Sequence, residues 1–216
     1  LGHAKWMLDP RRPNPNNLKW NQALNNELPK LKPSGVKVNF LSKNPWWMQT
    51  AMPMTGPHYN PGTSTVNMPT KFSGKPGHYD PGIYAHELGH AKQYASKSPL
   101  AKSLNIAQMP GRFPLVGPAM GMAPFFIDEE KKAKRWGIAG SAIQAPVVAH
   151  EIDASRRGRN LMKEAAKKSG QKLSLLKSLA PFKGVPTYIL GALLPYISYK
   201  YLSKRGKYMK EGQVKV

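Results

Sequence analysis

The segment His86-Glu87-Leu88-Gly89-His90 constrains this 216-residue chain more than any other feature. Asp80 stands where its carboxylate can accept hydrogen bonds from the first free amides of a helix, and Pro81 suits the first helical position. The helix is predicted to run to about Tyr94 and to end before Pro99. His86 and His90, four residues apart on it, project on nearly the same face, one turn apart. Two imidazoles in that relation can share one tetrahedral metal ion. Glu87 follows His86 by about one hundred degrees round the helix. There it can reach a metal-bound water without competing as a ligand. Gly89 removes a side chain beside the site and admits backbone or substrate.

A catalytic zinc ion takes three protein ligands and keeps a fourth position open for water. The chain has no cysteine, so His and carboxylate are the ligand types left. Glu151 is the expected third ligand, 151 − 90 = 61 residues downstream. It stands in His150-Glu151-Ile152-Asp153-Ala154-Ser155-Arg156-Arg157, on a second predicted helix, where His150 and Asp153 are rival ligands. Zinc in such a site would lower the pKa of its water and polarise a scissile carbonyl. Glu87 would take the water's proton and pass it to the leaving amine.

Around these two helices the chain is rich in breakers, with 21 prolines and 19 glycines. Residues 1–57 read as an irregular arm. Asp9 to Asn17 is turn chemistry, a short helix follows over Leu18–Leu28, and Pro29 is expected to end it. Val36-Lys37-Val38-Asn39-Phe40 alternates as a half-buried strand does. Trp46 and Trp47 sit in a Pro/Met-rich loop and read first as core anchors, with interfacial aromatics or partner contacts as the alternatives. Ser64–Met68 is a second strand, and its flanking prolines predict an edge position. Residues 113–127 are apolar but carry three prolines, too short and broken to span a membrane. Asp128–Trp136 reads as a charged helical turn with i,i+4 pairs Asp128/Lys132 and Glu130/Lys134. A small-residue helix over Ile138–Arg157 follows, with Pro146 as a kink. From Lys163 onward basic clusters flank an apolar run, Val185–Leu202. As a helix that run is about 27 Å long, marginal for crossing a bilayer. Tyr188, Tyr196, Tyr199 and Tyr201 sit along it as interfacial anchors do, which favours membrane contact over the alternative of a helix buried in a larger assembly. The expected class is therefore α+β, mainly helical, in three parts: an arm (1–57), a core (58–160) and a basic tail (161–216).

The charge balance points to a partner. There are 33 Lys and Arg against 11 Asp and Glu, a net charge of +22. Such a surface attracts polyanions, whether lipid headgroups, an acidic assembly or nucleic acid. Sequence-specific nucleic-acid binding is not expected, because no known module is present. Residues 1–20 lack the apolar region of a secretory signal.

From His58 to about Lys204 the chain resembles a bacterial family of neutral zinc metallopeptidases, usually membrane-bound. His58-Tyr59-Asn60-Pro61 with Thr65-Val66-Asn67-Met68 is similar to that family's His-Tyr-Asp-Pro turn and strand. Ala85 to Gln93 resembles its zinc helix. Phe113-Pro114-Leu115-Val116 falls where the family enters a hydrophobic segment. Pro146 to Arg157 resembles its Pro-Val-Glu-Phe-Asp-Ala-Ser-Arg-Arg motif, and the run after Val185 falls at its last membrane helix. The resemblance implies a zincin-like core with a peptide or protein substrate. It implies His86, His90 and Glu151 as zinc ligands and Glu87 as general base. Asp153 and Ser155 become residues that orient ligands. Ser64–Met68 becomes the edge strand that pairs with substrate backbone. Arg156, Arg157, Tyr84 and His78 are the available transition-state donors. The alternative expectation is a structural or interaction protein, in a virion or another large anionic assembly, that keeps the same fold.

Overall fold

Asn14 and Asp80 open their helices in the same way. Each side chain accepts a hydrogen bond from the amide two residues on, Asn16 at 2.9 Å and Gly82 at 2.7 Å, and a proline follows each cap. The computed structural model describes residues 14–31, 35–39, 57–68, 79–112, 119–120, 122–127 and 129–213. Most of the arm, including Trp46 and Trp47, and also His78, Phe113 to Val116 and Asp128, lie outside the described residues. The chain is mainly helical with one small mixed sheet. It divides into two units, residues 1–97 with 153–183 and residues 98–152 with 184–216.

The first unit begins with α1 (Pro15–Asn25) and α2 (Leu28–Leu31). Pro29 does not end the first helix, which stops at Asn25. It sits instead in the first turn of α2, where its missing N–H has no helical partner to lose. Strands β1 (Lys37–Asn39), β2 (His58–Asn60) and β3 (Thr65–Asn67) form a sheet in the order β1-β3-β2. β3 pairs parallel with β1 and antiparallel with β2, with Val66 opposite both Val38 and Tyr59. The predicted edge strand is thus the central one. Pro61 and Pro69 flank Thr65–Asn67 without entering it, so neither removes a ladder donor. The β2–β3 turn is held by Asn60, whose Oδ1 accepts from the amides of Gly62 at 2.9 Å and Thr63 at 3.3 Å.

Helix α3 (Pro81–Tyr94) lies at the centre of this unit. It packs against α1, α2, β2, β3 and a 3₁₀ turn at Ala180–Phe182. Leu24, Val66, Met68, Tyr84, Leu88 and Leu161 join one buried cluster. Buried Glu27 pairs with Lys168 at 2.6 Å. Exposed Lys183 reaches Asp80 at 2.5 Å beside the α3 cap.

The second unit holds α4 (Pro99–Ala107), α5 (Met109–Arg112) and a 3₁₀ turn at Ala123–Phe126. The long α6 (Glu130–Ser169) passes from this unit into the first. The expected charged turn and the expected Ile138 helix are one element, continuous through Gly137 and Pro146. Gly137 is a packing notch and not a break. A Cβ there would lie 3.0 Å from the Pro195 carbonyl oxygen, and one at Gly140 would lie 2.9 Å from the Pro195 ring. At the start of α6, Lys132 pairs with Glu129 at 2.8 Å. After α6 comes α7 (Leu175–Leu179), which belongs to the first unit.

Helix α8 (Val185–Gln213) contains the predicted apolar run. It buries Val185, Ala192, Ser198 and Tyr199 and exposes Ile189, Leu190, Leu193, Leu194, Ile197 and Tyr201. Among the described residues no helix is long and apolar enough to cross a membrane.

Candidate metal centre

Two lanes of small residues let α3 and α6 approach closely. On α3, Ala85 and Gly89 are four apart, and on α6 so are Ala154 and Gly158. A methyl on Gly89 would overlap the Ala154 carbonyl oxygen and stand 2.9 Å from the Gly158 amide nitrogen. A methyl on Gly158 would overlap the Ala85 carbonyl and stand 3.0 Å from the His86 amide nitrogen. Backbone therefore meets backbone at this crossing. Gly89 serves the helix contact, the backbone half of its predicted role.

Helix periodicity then selects the facing side chains. Glu151, Ala154, Ser155 and Gly158 recur at i, i+3, i+4 and i+7, which is one face of α6. His86 and His90 stand on the matching face of α3, their rings edge to face with centroids 4.7 Å apart. Ligand atoms of His86, His90 and Glu151 all lie within 4.8 Å of one another. Glu151 is 0% exposed and His90 is buried, while His86 is partly buried. This is a His-His-Glu group that can hold a metal ion.

The hydrogen bonds behind the group set the ring orientations. Ser155 donates its hydroxyl proton to the carbonyl oxygen of Pro181 at 3.0 Å. With that proton committed, Ser155 Oγ is an acceptor for His86 Nδ1, also at 3.0 Å. His86 then carries its proton on Nδ1 and keeps a lone pair on Nε2. His90 Nδ1 lies 3.3 Å from Gln93 Oε1, and Gln93 Nε2 donates to Asp153 at 2.9 Å. Asp153 also accepts from Arg157 Nε at 2.8 Å.

A carboxylate buried as fully as Glu151 needs a positive partner. Arg112 supplies one and donates to it. Arg112 also lies 3.2 Å from His150 Nδ1, while His150 Nε2 lies 3.0 Å from Asn105.

The rival ligands are therefore engaged elsewhere: Asp153 with Gln93 and Arg157, His150 with Arg112 and Asn105. Neither belongs to the metal group. Glu87, next to His86, is buried at 6% exposure.

Of the transition-state candidates, Tyr84 is removed by its surroundings. It points into the core, donates to Asn25, and burial raises its phenol above the ordinary range. It sits two residues from His86, about two hundred degrees round the helix. Arg157 is tied to Asp153, Arg156 is exposed, and His78 lies outside the described residues.

Gln93, Arg112 and Gly158 carry parts of this arrangement that the sequence reading did not assign. The paired small-xxx-small spacings of Ala85/Gly89 and Ala154/Gly158 were a usable signal for a close helix pair. The position of Gln93, three residues after His90, was a weaker one.

The donor set suits a borderline divalent ion: two imidazoles, at least one with its far nitrogen already bonded, and one carboxylate. No family model, curated protein or solved structure matches the chain.

Proposed function

We propose that this chain is a zinc metallopeptidase with a zincin-like core. The observation that carries the reading is the clustered His86, His90 and Glu151, with Glu87 buried and next to His86 in the chain. Two imidazoles and one carboxylate are the protein ligands of a well-known class of catalytic zinc site. Zinc held there would acidify a bound water and polarise the peptide carbonyl. Glu87 then acts as the base that takes the proton of the attacking water and returns it to the departing amine. Ser155 and Gln93 keep the imidazoles oriented, and Arg112 balances Glu151 until the ion is present. The motif resemblance at Ala85 to Gln93 and Pro146 to Arg157 supports the same reading.

Zinc titration tests it. The chain should take up about one zinc ion, and Glu151→Ala should weaken it beyond the roughly 10- to 100-fold that outer-shell partners carry. Unchanged affinity in Glu151→Ala would remove the third ligand from this assignment. The zinc-loaded chain should also cut members of a broad peptide library, and a chelator should stop it.

An anionic surface is the proposed partner, favoured by the exposed apolar face of α8. Residues 170–216 hold nine Lys and Arg and one acidic residue, Glu211. Apolar contact and basic flanks together suit attachment to anionic lipid without spanning it. The full chain should float with phosphatidylserine vesicles, far less with phosphatidylcholine alone, and progressively less as salt rises. Leu193→Glu with Ile197→Glu should abolish flotation. Flotation undiminished by that pair would place attachment elsewhere, and flotation by neither vesicle would leave an acidic protein assembly as the partner.

A further inference from the structure

An amide side chain does not fix its own direction. The oxygen and NH₂ ends of Gln93 have nearly the same shape, so its neighbours decide which end faces His90. Asp153 makes that decision. Its Oδ2 faces Gln93 Nε2 at 2.9 Å and Arg157 Nε at 2.8 Å. A carboxylate only accepts hydrogen bonds, so Gln93 must turn its NH₂ toward Asp153. The amide oxygen is then left facing His90 Nδ1, 3.3 Å away. An oxygen there demands a proton on Nδ1, which leaves the lone pair of the ring on Nε2.

We infer that Arg157, Asp153 and Gln93 form a tautomer lock that holds His90 in its metal-binding form. Arg157 fixes Asp153 from one turn away on α6, and Gln93 carries the instruction to the imidazole on α3. These are positioning residues, and none of them belongs to the metal group. His86 is held by a separate device, Ser155 anchored on the Pro181 carbonyl oxygen. The two ligands therefore fail independently. Metal-ligating histidines generally donate their second nitrogen to a fixed acceptor. Here the acceptor for His90 is a neutral amide whose direction is set by a charge one residue further out. The inference rests on reading His86, His90 and Glu151 as a zinc site.

Asp153→Asn tests the lock with little change of shape. Asparagine offers both a donor and an acceptor, so Gln93 can turn either end to it. Two measurements are needed: the His90 tautomer in the zinc-free protein, from ¹H–¹⁵N correlations of its ring, and zinc affinity by competition with a chelator. Wild type should show the proton on Nδ1 of His90. Asp153→Asn should show a mixture of both tautomers, and zinc affinity should fall by about 10- to 100-fold. Gln93→Met, which removes the acceptor while keeping the volume, should do the same if Asp153→Asn fails to fold. Asp153→Glu, still acceptor-only, should restore the wild-type tautomer, and Ser155→Ala should alter His86 and spare His90. An unchanged His90 tautomer in both Asp153→Asn and Gln93→Met overturns the lock. So does a changed tautomer with unchanged zinc affinity. A wild type that shows Nδ1–H on His90 yet takes up no zinc defeats the metal reading and leaves the lock standing.

Discussion

Glu87→Gln is expected to keep zinc bound and to slow peptide cleavage by about 10²- to 10⁴-fold, the usual contribution of a positioned general base. Glutamine matches glutamate in size, so a side chain buried at 6% exposure can be exchanged without opening a cavity. The three members of the metal group are untouched. What the amide lacks is the ability to accept a proton from water and hand it on. Cleavage rate and zinc stoichiometry must be measured on the same samples, because only their divergence isolates the base. If both fall together, Glu87 supports the site structurally. If wild type holds zinc and cuts nothing faster than Glu87→Gln does, the peptidase reading gives way to the interaction-protein reading.

How much of this was legible in the sequence depended on how local each cause was. The start of α3 was readable because Asp80, Pro81 and Gly82 settle it among themselves. The pairing of His86 with His90 was readable for the same reason, since one helical turn separates them. Where a residue's effect depends on a distant partner, local rules misled. Pro61 and Pro69 suggested an edge for β3, yet β1 and β2 cover both of its sides and neither proline enters the ladder. Gly137 falls between the two expected elements, yet α6 runs through it, and the glycine is explained by Pro195 nearly sixty residues on. The choice of Glu151 over His150 and Asp153 rests on the resemblance of Pro146 to Arg157 to the metallopeptidase motif. Spacing alone leaves all three open, and what separates them is position: Glu151 offers a ligand atom within 4.8 Å of those of His86 and His90, while His150 turns to Arg112 and Asn105 and Asp153 to Gln93 and Arg157. Tyr84 is the converse case. Its two-residue offset from His86 already placed it on the far side of the helix, so helical geometry alone argued against a role at the metal.

The α3–α6 crossing sets up the second large effect, a comparison of two identical substitutions. Glycine to alanine inside a helix ordinarily stabilises by roughly 0.5–1 kcal/mol, because the unfolded chain loses freedom. Gly191, on α8, has nothing within 4 Å of an added Cβ, so Gly191→Ala should show that gain. Gly89→Ala should show the opposite sign. Its methyl would overlap the Ala154 carbonyl oxygen, with the Gly158 amide nitrogen also 2.9 Å away. Those atoms are backbone and cannot swing aside as a lysine tip would, so the helices must separate. Overpacking of this kind costs about 1–3 kcal/mol and sometimes more. Against backbone, the upper end applies, leaving a net loss of about 2 kcal/mol after the helix-propensity gain is subtracted. Zinc affinity should fall with stability, because Ala154 is three residues from Glu151 on the same helix, and pushing one away carries the other. Urea unfolding of both variants, with and without zinc, reads the two signs directly. Equal stability for Gly89→Ala and wild type would mean that the close crossing does not exist in solution. The shared position of His86, His90 and Glu151 would then lose its structural cause.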